Sequence, residues 1–202
     1  MKKKIFSIVS IIMCVVISAL CLTSCSGPGN DMTEENIKAT VAEAVDALKE
    51  FDTEKLGKYV DSSTLSVIVG YAKDHKQFTD LGKAIFASLE YEVKEIDLEN
   101  GSVTVSFKNK DLYQAAADFA SQLKRDYSSF QLLTKLNDDD FLDLKLAQLT
   151  KAIEDAPMLE SATDVKLSIT QGKKNLVLTF DKDAENAVSG GSLNAINSIY
   201  KK

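Results

Sequence analysis

Few residues in this chain are of a type and spacing that could do chemistry. Asp74 and His75 form the only adjacent carboxylate–imidazole pair, and His75 is the single histidine among 202 residues. An imidazole oriented by a carboxylate is the usual general base. Neighbours on a helix point about 100° apart, however, so Asp74 is poorly placed to hold His75. Lys73, Lys76 and Gln77 make the surroundings polar, and a solvated helix end is the expectation. Asn137-Asp138-Asp139-Asp140 offers oxygen ligands of the kind Ca²⁺ takes. A Ca²⁺ loop needs donors at alternate positions, a glycine at the sixth and a distal glutamate. Phe141-Leu142-Asp143-Leu144 follows instead, so the run is expected to cap a helix through Asp138 or Asp139, with no metal. Gly190-Gly191 lacks the Lys-Ser/Thr of a phosphate loop, and no Gly-x-Ser-x-Gly nucleophile elbow is present. No convergent catalytic set is visible and no cofactor is implied, so the chain reads as a non-enzyme. Tyr91, Phe107, Tyr113, Phe119, Phe130 and Phe180 stand at alternating or helical spacing, the pattern of core residues. A ligand pocket, if the fold holds one, belongs on the concave face of the sheet. Tyr91 and Phe107, at opposite ends of the inward rows of the first hairpin, are the candidate lining.

The three cysteines are read by position. Lys2, Lys3 and Lys4 precede an apolar stretch from Ile5 to Leu22, broken only by Ser7, Ser10 and Ser18. Eighteen residues would suffice for a membrane-spanning helix, but Leu22-Thr23-Ser24-Cys25 and then Ser26-Gly27-Pro28-Gly29-Asn30 follow. Small residues before the cleavage point suit a signal peptidase groove. The four-residue motif resembles the lipobox of bacterial lipoproteins, with Leu22 at −3, Ser24 at −1 and Cys25 as acceptor. That resemblance implies cleavage before Cys25, thioether diacylation of its sulfur, and retention at the outer face of the cell membrane. Two acyl chains make a stable anchor where one binds only marginally. Residues 1–24 are then a signal peptide, which removes Cys14 and Cys21, and residues 25–32 are the lipidated cysteine and a tether. The mature chain has 178 residues and 21 basic against 30 acidic groups. Its only cysteine carries lipid, which leaves no thiol for catalysis, disulfide or metal. The acidic balance and the single arginine, Arg125, exclude a nucleic-acid binder, which needs clustered Lys and Arg.

The elements that must position any site follow from periodicity. Asp31 or Thr33 caps a first helix whose Ile37, Val41, Ala44, Val45 and Leu48 share one face. Asp52 or Thr53 opens a short helix with Leu56, Tyr59 and Val60, and Asp61-Ser62-Ser63 opens another with Leu65, Ile68 and Val69. A fourth helix runs from Thr79 to about Leu89. Tyr91, Val93, Ile96 and Leu98 then alternate, with a slip at Lys94-Glu95 that reads as a bulge. Asn100-Gly101 turns the chain into Val103, Val105 and Phe107. Such a turn predicts a hairpin in which both central residues need φ > 0. Helical spacing returns from Asp111 to Leu136 and again from Phe141 to Ile153, before Pro157. A second hairpin carries Val165, Leu167 and Ile169 against Leu176, Leu178 and Phe180, turned by Gln171-Gly172-Lys173-Lys174. A short helix is expected after Gly191. This order predicts an α+β fold, with an antiparallel sheet of two hairpins covered on one face by helices. Both hairpins must share the sheet, since an isolated hairpin is marginal in water.

Phe51-Asp52-Thr53-Glu54-Lys55-Leu56, Lys58-Tyr59, Val103-Thr104-Val105 leading to Asn109-Lys110-Asp111, and Ala187-Val188-Ser189-Gly190-Gly191 carry a resemblance. They are similar to small Gram-positive lipoproteins whose domain resembles nuclear transport factor 2, the cystatin-like cone. The resemblance spans roughly Asp31 to Lys202. It departs from the group where a tryptophan often stands in the last strand; Val177 to Phe180 are here instead. It implies a single domain over residues 33–202 with a helical insertion at about 111–157. Folds of this kind host isomerases, dehydratases and binding modules, so the fold alone does not set function. The expectation is a module held to the membrane through Cys25 that binds a small ligand, an envelope component or a partner protein. Its rivals are an extracytoplasmic isomerase or hydrolase using a buried carboxylate, and a scaffold subunit of an envelope complex. The scaffold reading predicts an exposed apolar patch between Leu132 and Ile153.

Overall fold

A computed structural model describes residues 27–72, 76–135 and 137–195. Thr33 caps α1 (Glu34–Glu50), its hydroxyl accepting the Asn36 N–H at 3.2 Å. α1 turns Ile37, Val41, Ala44, Val45 and Leu48 into the core. It ends at Phe51, which takes the left-handed conformation at φ 50°, uncommon outside glycine. Burial of its ring, stacked on Phe86 at 6.4 Å, offsets that strain, and only a glycine at position 82 leaves room for it. Asp52 then caps α2 (Thr53–Tyr59) by accepting from Glu54 and Lys55.

Val60–Asp61 form a two-residue strand, β1, where the apolar spacing placed the end of a helix. α3 (Ser63–Ala72) and α4 (Lys76–Phe86) follow, and α4 starts earlier than its spacing indicated. β2 (Glu90–Asp97) and β3 (Ser102–Lys108) form the first hairpin, with the expected bulge between Val93 and Glu95. Its turn is longer than the Asn-Gly pair suggested, because Asp97 pairs with Ser102 and four residues lie between. Only Gly101 takes positive φ there (58°), while Asn100 bonds Asp97 through its own N–H and its side-chain amide.

The stretch expected to be a helical insertion, called the insertion below, forms α5 (Leu112–Asp126), α6 (Ser129–Lys135) and α7 (Asp139–Glu154). One continuous helix was the expectation over the first part. The break lies at Tyr127-Ser128, where the Ser128 hydroxyl accepts from Gln131 N–H and the Gln131 side chain accepts from Ser128 N–H. That reciprocal pair is a capping box, and it starts a new helix. β4 (Thr163–Gln171) and β5 (Leu176–Thr179) make the second hairpin. The short helix expected after Gly191 is present over residues 192–195, and a further helix, α8 (Lys182–Val188), which the apolar spacing did not indicate, precedes the glycine pair. Gly190, at φ 57°, abuts the Lys110 carbonyl so closely that no Cβ fits.

The fold is α+β, as expected. Both hairpins lie in one sheet of order β1-β5-β4-β3-β2, antiparallel except for β1 beside β5. Val103, Val105, Phe107, Val165, Leu167, Ile169, Leu176 and Leu178 form its inner face and pack beneath the helices. Ser102, Thr104, Lys166 and Ser168 lie on the opposite, polar face. The two ends of the sheet differ. Turns 98–101 and 172–175 share one end, since Ser102 pairs with Ser168 while β4 runs on to Gln171. The N-terminal segment lies at the same end: the Asn30 side chain donates to the carbonyls of Gly172 (3.1 Å) and Lys173 (3.3 Å). The insertion leaves from the other end, beyond the Lys110–Met158 bridge. The nine residues of β4 separate the two ends by about 30 Å.

Candidate functional site

Three places in the molecule could hold a site: a buried carboxylate, the inner face of the sheet and the outlying helices between β3 and β4. The first is Glu185 on α8, a carboxylate only 4% exposed. Its Oε1 accepts from the Ser62 hydroxyl and from Thr64 N–H at 3.1 Å, and its Oε2 accepts from the Thr64 hydroxyl at 2.7 Å. Leu65 N–H donates to the Ser62 oxygen at 3.0 Å. Glu185 therefore caps α3 from across the fold, adding a negative side chain at the positive end of a helix. The adjoining cleft measures about 60 Å³ between Leu56, Val60, Ser62, Leu65 and Val69, which leaves little room for a substrate. Sequence reasoning missed this group; its one signal was a glutamate amid Ala184, Ala187 and Val188.

The second place is the inner sheet face, where a pocket between Tyr91 and Phe107 was expected. The register sets the two directly opposite each other, not at opposite ends. Phe107 is 1% exposed and packs its ring 6.3 Å from that of Phe180. Tyr91 lies on the edge strand and is partly exposed. Phe107 is thus part of the core, and neither residue lines either of the two cavities described here.

The third place is the insertion. Of its three helices only Leu112, Leu146 and Ile153 are buried, and none of these belongs to the main core. Phe130 is 79% exposed, Leu133 70% and Leu144 55%. Lys110 holds the unit down by donating to the carbonyl of Glu154 at 2.5 Å, and Gln77 donates to Asp143 at 2.6 Å, tying α4 to α7. Tyr127 and Phe141 meet edge to face at 5.3 Å, with the Lys135 and Lys145 ammonium groups within 6 Å of both rings. Those lysines add cation–π attraction to a local aromatic pair. Between α5 and α7 runs an open groove of about 720 Å³, lined by Ala115, Asp118, Phe119, Gln122, Arg125 and Ala152.

Asp138 caps α7 through the Phe141 N–H, with Asp139 and Asp140 in the first turn. Among the described residues no group of three or more His, Cys, Asp or Glu is placed to hold a metal. No described helix is long and apolar enough to cross a membrane. Leu22, Thr23, Ser24 and Cys25, and the Asp74-His75 pair, lie outside the described residues. No family model matches the sequence, and no curated protein is significantly similar to it. Among solved structures, the chain is similar to ycdA of Bacillus subtilis, a proposed lipoprotein, at 13% identity and a TM-score of 0.39. The match covers 77% of this chain but only 59% of that one. At such a TM-score the likeness carries no argument about this chain.

Proposed function

We propose that this chain is a lipid-anchored, non-enzymatic binding module of the extracytoplasmic membrane face, and that it engages a partner protein through its helical insertion. The observation that carries the reading is Phe130, Leu133 and Leu144, at 79%, 70% and 55% exposure on one peripheral helical unit. Large apolar side chains gathered at such exposure mark interaction surfaces more often than isolated ones do. Anchoring rests on the sequence Leu22-Thr23-Ser24-Cys25 and the basic and apolar residues before it. A Gram-positive host and kinship with the nuclear transport factor 2-like cone belong to the same reading. A helix-covered sheet supports the kinship, although the face that would line a cone's cavity is filled here by Phe107, Leu178 and Phe180. The filled face favours a protein partner over a small ligand. Glu185, the buried carboxylate an enzyme would need, gives both oxygens to the start of α3.

Native mass spectrometry of the chain purified from membranes, before and after mixing with an envelope extract, tests the reading. The expected result is a mass beginning at Cys25 with two acyl chains, plus a protein-sized increment that Phe130→Ser with Leu133→Ser abolishes. An adduct of small-molecule mass, unaffected by that pair of substitutions, supports the small-ligand rival. A protein increment that survives them overturns the assignment of the surface.

A further inference from the structure

The place where the chain enters the domain bears on which end faces a membrane. We propose that the sheet end carrying turn 172–175 rests on an anionic bilayer, with Lys58, Lys173 and Lys174 against lipid phosphates and the insertion pointing away. This inference rests on the proposed lipidation of Cys25. A free tether was the expectation for residues 25–32, yet the described part of that segment is held down. Asn30 bonds the carbonyls of Gly172 and Lys173, Met32 packs against the core, and Gly27 sits against the Tyr59 hydroxyl. Asn175 in turn donates to the Lys58 carbonyl at 2.6 Å. One residue, Ser26, separates Cys25 from Gly27, and two steps of extended chain span at most about 7 Å. An acylated Cys25 therefore brings Lys58 and the 172–175 turn to the depth of the headgroups.

The charges at this corner fit that neighbour. Lys58, Lys173 and Lys174 are exposed, and among the described residues none is in an ion pair. Each lysine beside an anionic leaflet favours contact by about fivefold. Asp31, Glu35 and Glu99 lie at the same end and are repelled, while Glu34 is paired with Lys38 at 3.3 Å. Three lysines against three carboxylates leave this end without net repulsion, so the reach from Cys25 sets which end faces the bilayer and the lysines set which turn meets the phosphates. Wall polymers carry the same phosphate chemistry, but the two-residue reach to the lipid selects the bilayer. The insertion then stands at the distal end, about 30 Å along β4 from the headgroups, clear of lipid and open to a partner.

The chain has no tryptophan, so one introduced tryptophan reports its own surroundings. Gln171→Trp probes the lysine end and Phe130→Trp the insertion. Each full-length protein, purified from membranes, is placed in phosphatidylcholine vesicles with or without phosphatidylglycerol, carrying a headgroup nitroxide lipid. Emission of Gln171→Trp should be quenched severalfold more than that of Phe130→Trp in the anionic vesicles. High salt, or Lys58→Glu with Lys173→Glu and Lys174→Glu, should narrow the difference without abolishing it, because acylated Cys25 still holds this end near the headgroups, and an unchanged difference overturns the lysine contacts. Equal quenching of the two, or stronger quenching of Phe130→Trp, overturns the orientation. A protein that neither floats nor carries acyl mass overturns the lipidation instead. In that case Cys25, in a chain with Cys14→Ser and Cys21→Ser, is coupled to a maleimide phospholipid and the same comparison decides the orientation.

Discussion

Replacing Glu185 with alanine removes the partner of three donors at the start of α3: the hydroxyl of Ser62, and the N–H and hydroxyl of Thr64. A hydrogen bond to a charged acceptor contributes about 1.5–3 kcal/mol, and loss of a helix cap about 1 kcal/mol. The three do not count equally. Ser62 is 4% exposed, so with the carboxylate gone its hydroxyl recovers little bonding from solvent. Thr64 is half-buried, so its hydroxyl and N–H recover part of their bonding from solvent. Counting Ser62 in full and the Thr64 pair at about half gives a loss of roughly 3 kcal/mol. Glu185→Gln keeps one acceptor oxygen and offers the Thr64 hydroxyl an amide donor, so it should cost about half as much. Urea denaturation followed by circular dichroism reads both, as a lower midpoint at unchanged slope. In a double-mutant cycle, Ser62→Ala with Glu185→Ala should show coupling of about 1 kcal/mol or more. A Glu185→Ala protein within about 0.5 kcal/mol of the parent, or a cycle without coupling, would refute the capping role.

Asn109 is fully buried and donates to the carbonyls of Ile85 (2.8 Å) and Val188 (2.7 Å) while accepting the Lys110 N–H. Asn109→Ala leaves all three unpaired and should lower unfolding free energy by about 3 kcal/mol in the same titration. Gly190→Ala forces a side chain onto the Lys110 carbonyl at φ 57°. It should cost about 2–3 kcal/mol and lower the melting temperature, whereas Gly57→Ala, with open space around it, should not destabilise. The side-chain bond from Asn100, its backbone N–H and, more weakly, Lys166 hold the Asp97 carboxyl below the usual carboxylate range. A depressed acid stabilises the fold above its unfolded pKa, and that contribution fades as pH falls through the lower folded value. Carboxyl NMR of Asn100→Ala should show Asp97 titrating at higher pH than in the parent.

Much of the fold was legible because local signals agreed with one another. Val165, Leu167 and Ile169 alternate as a half-buried strand must, and Asp52 stands where a cap is needed. β1 was not legible: two residues carry no period, and Val60 finds its partner at Leu178, at the far end of the chain. The break before α6 was written in Ser128 and Gln131, but apolar spacing from Phe119 through Phe130 runs across it and masks it. Lys182–Val188 hid for the opposite reason, since its buried face is two alanines, a glutamate and one valine, which carry little apolar period. The site was the least legible part. Periodicity shows that Phe130 and Leu133 share helical spacing with core residues, but not whether anything covers them. Phe107 posed the reverse problem, because a pocket wall and a filled core show the same alternation.

Photo-cross-linking in intact cells tests the central claim most directly, with a benzoylphenylalanine at position 130 on the insertion and, separately, at 166 on the polar sheet face. One discrete protein-sized adduct from position 130 and none from 166 is the expected result. An adduct from 166 with none from 130 would contradict it and move the binding surface to the sheet.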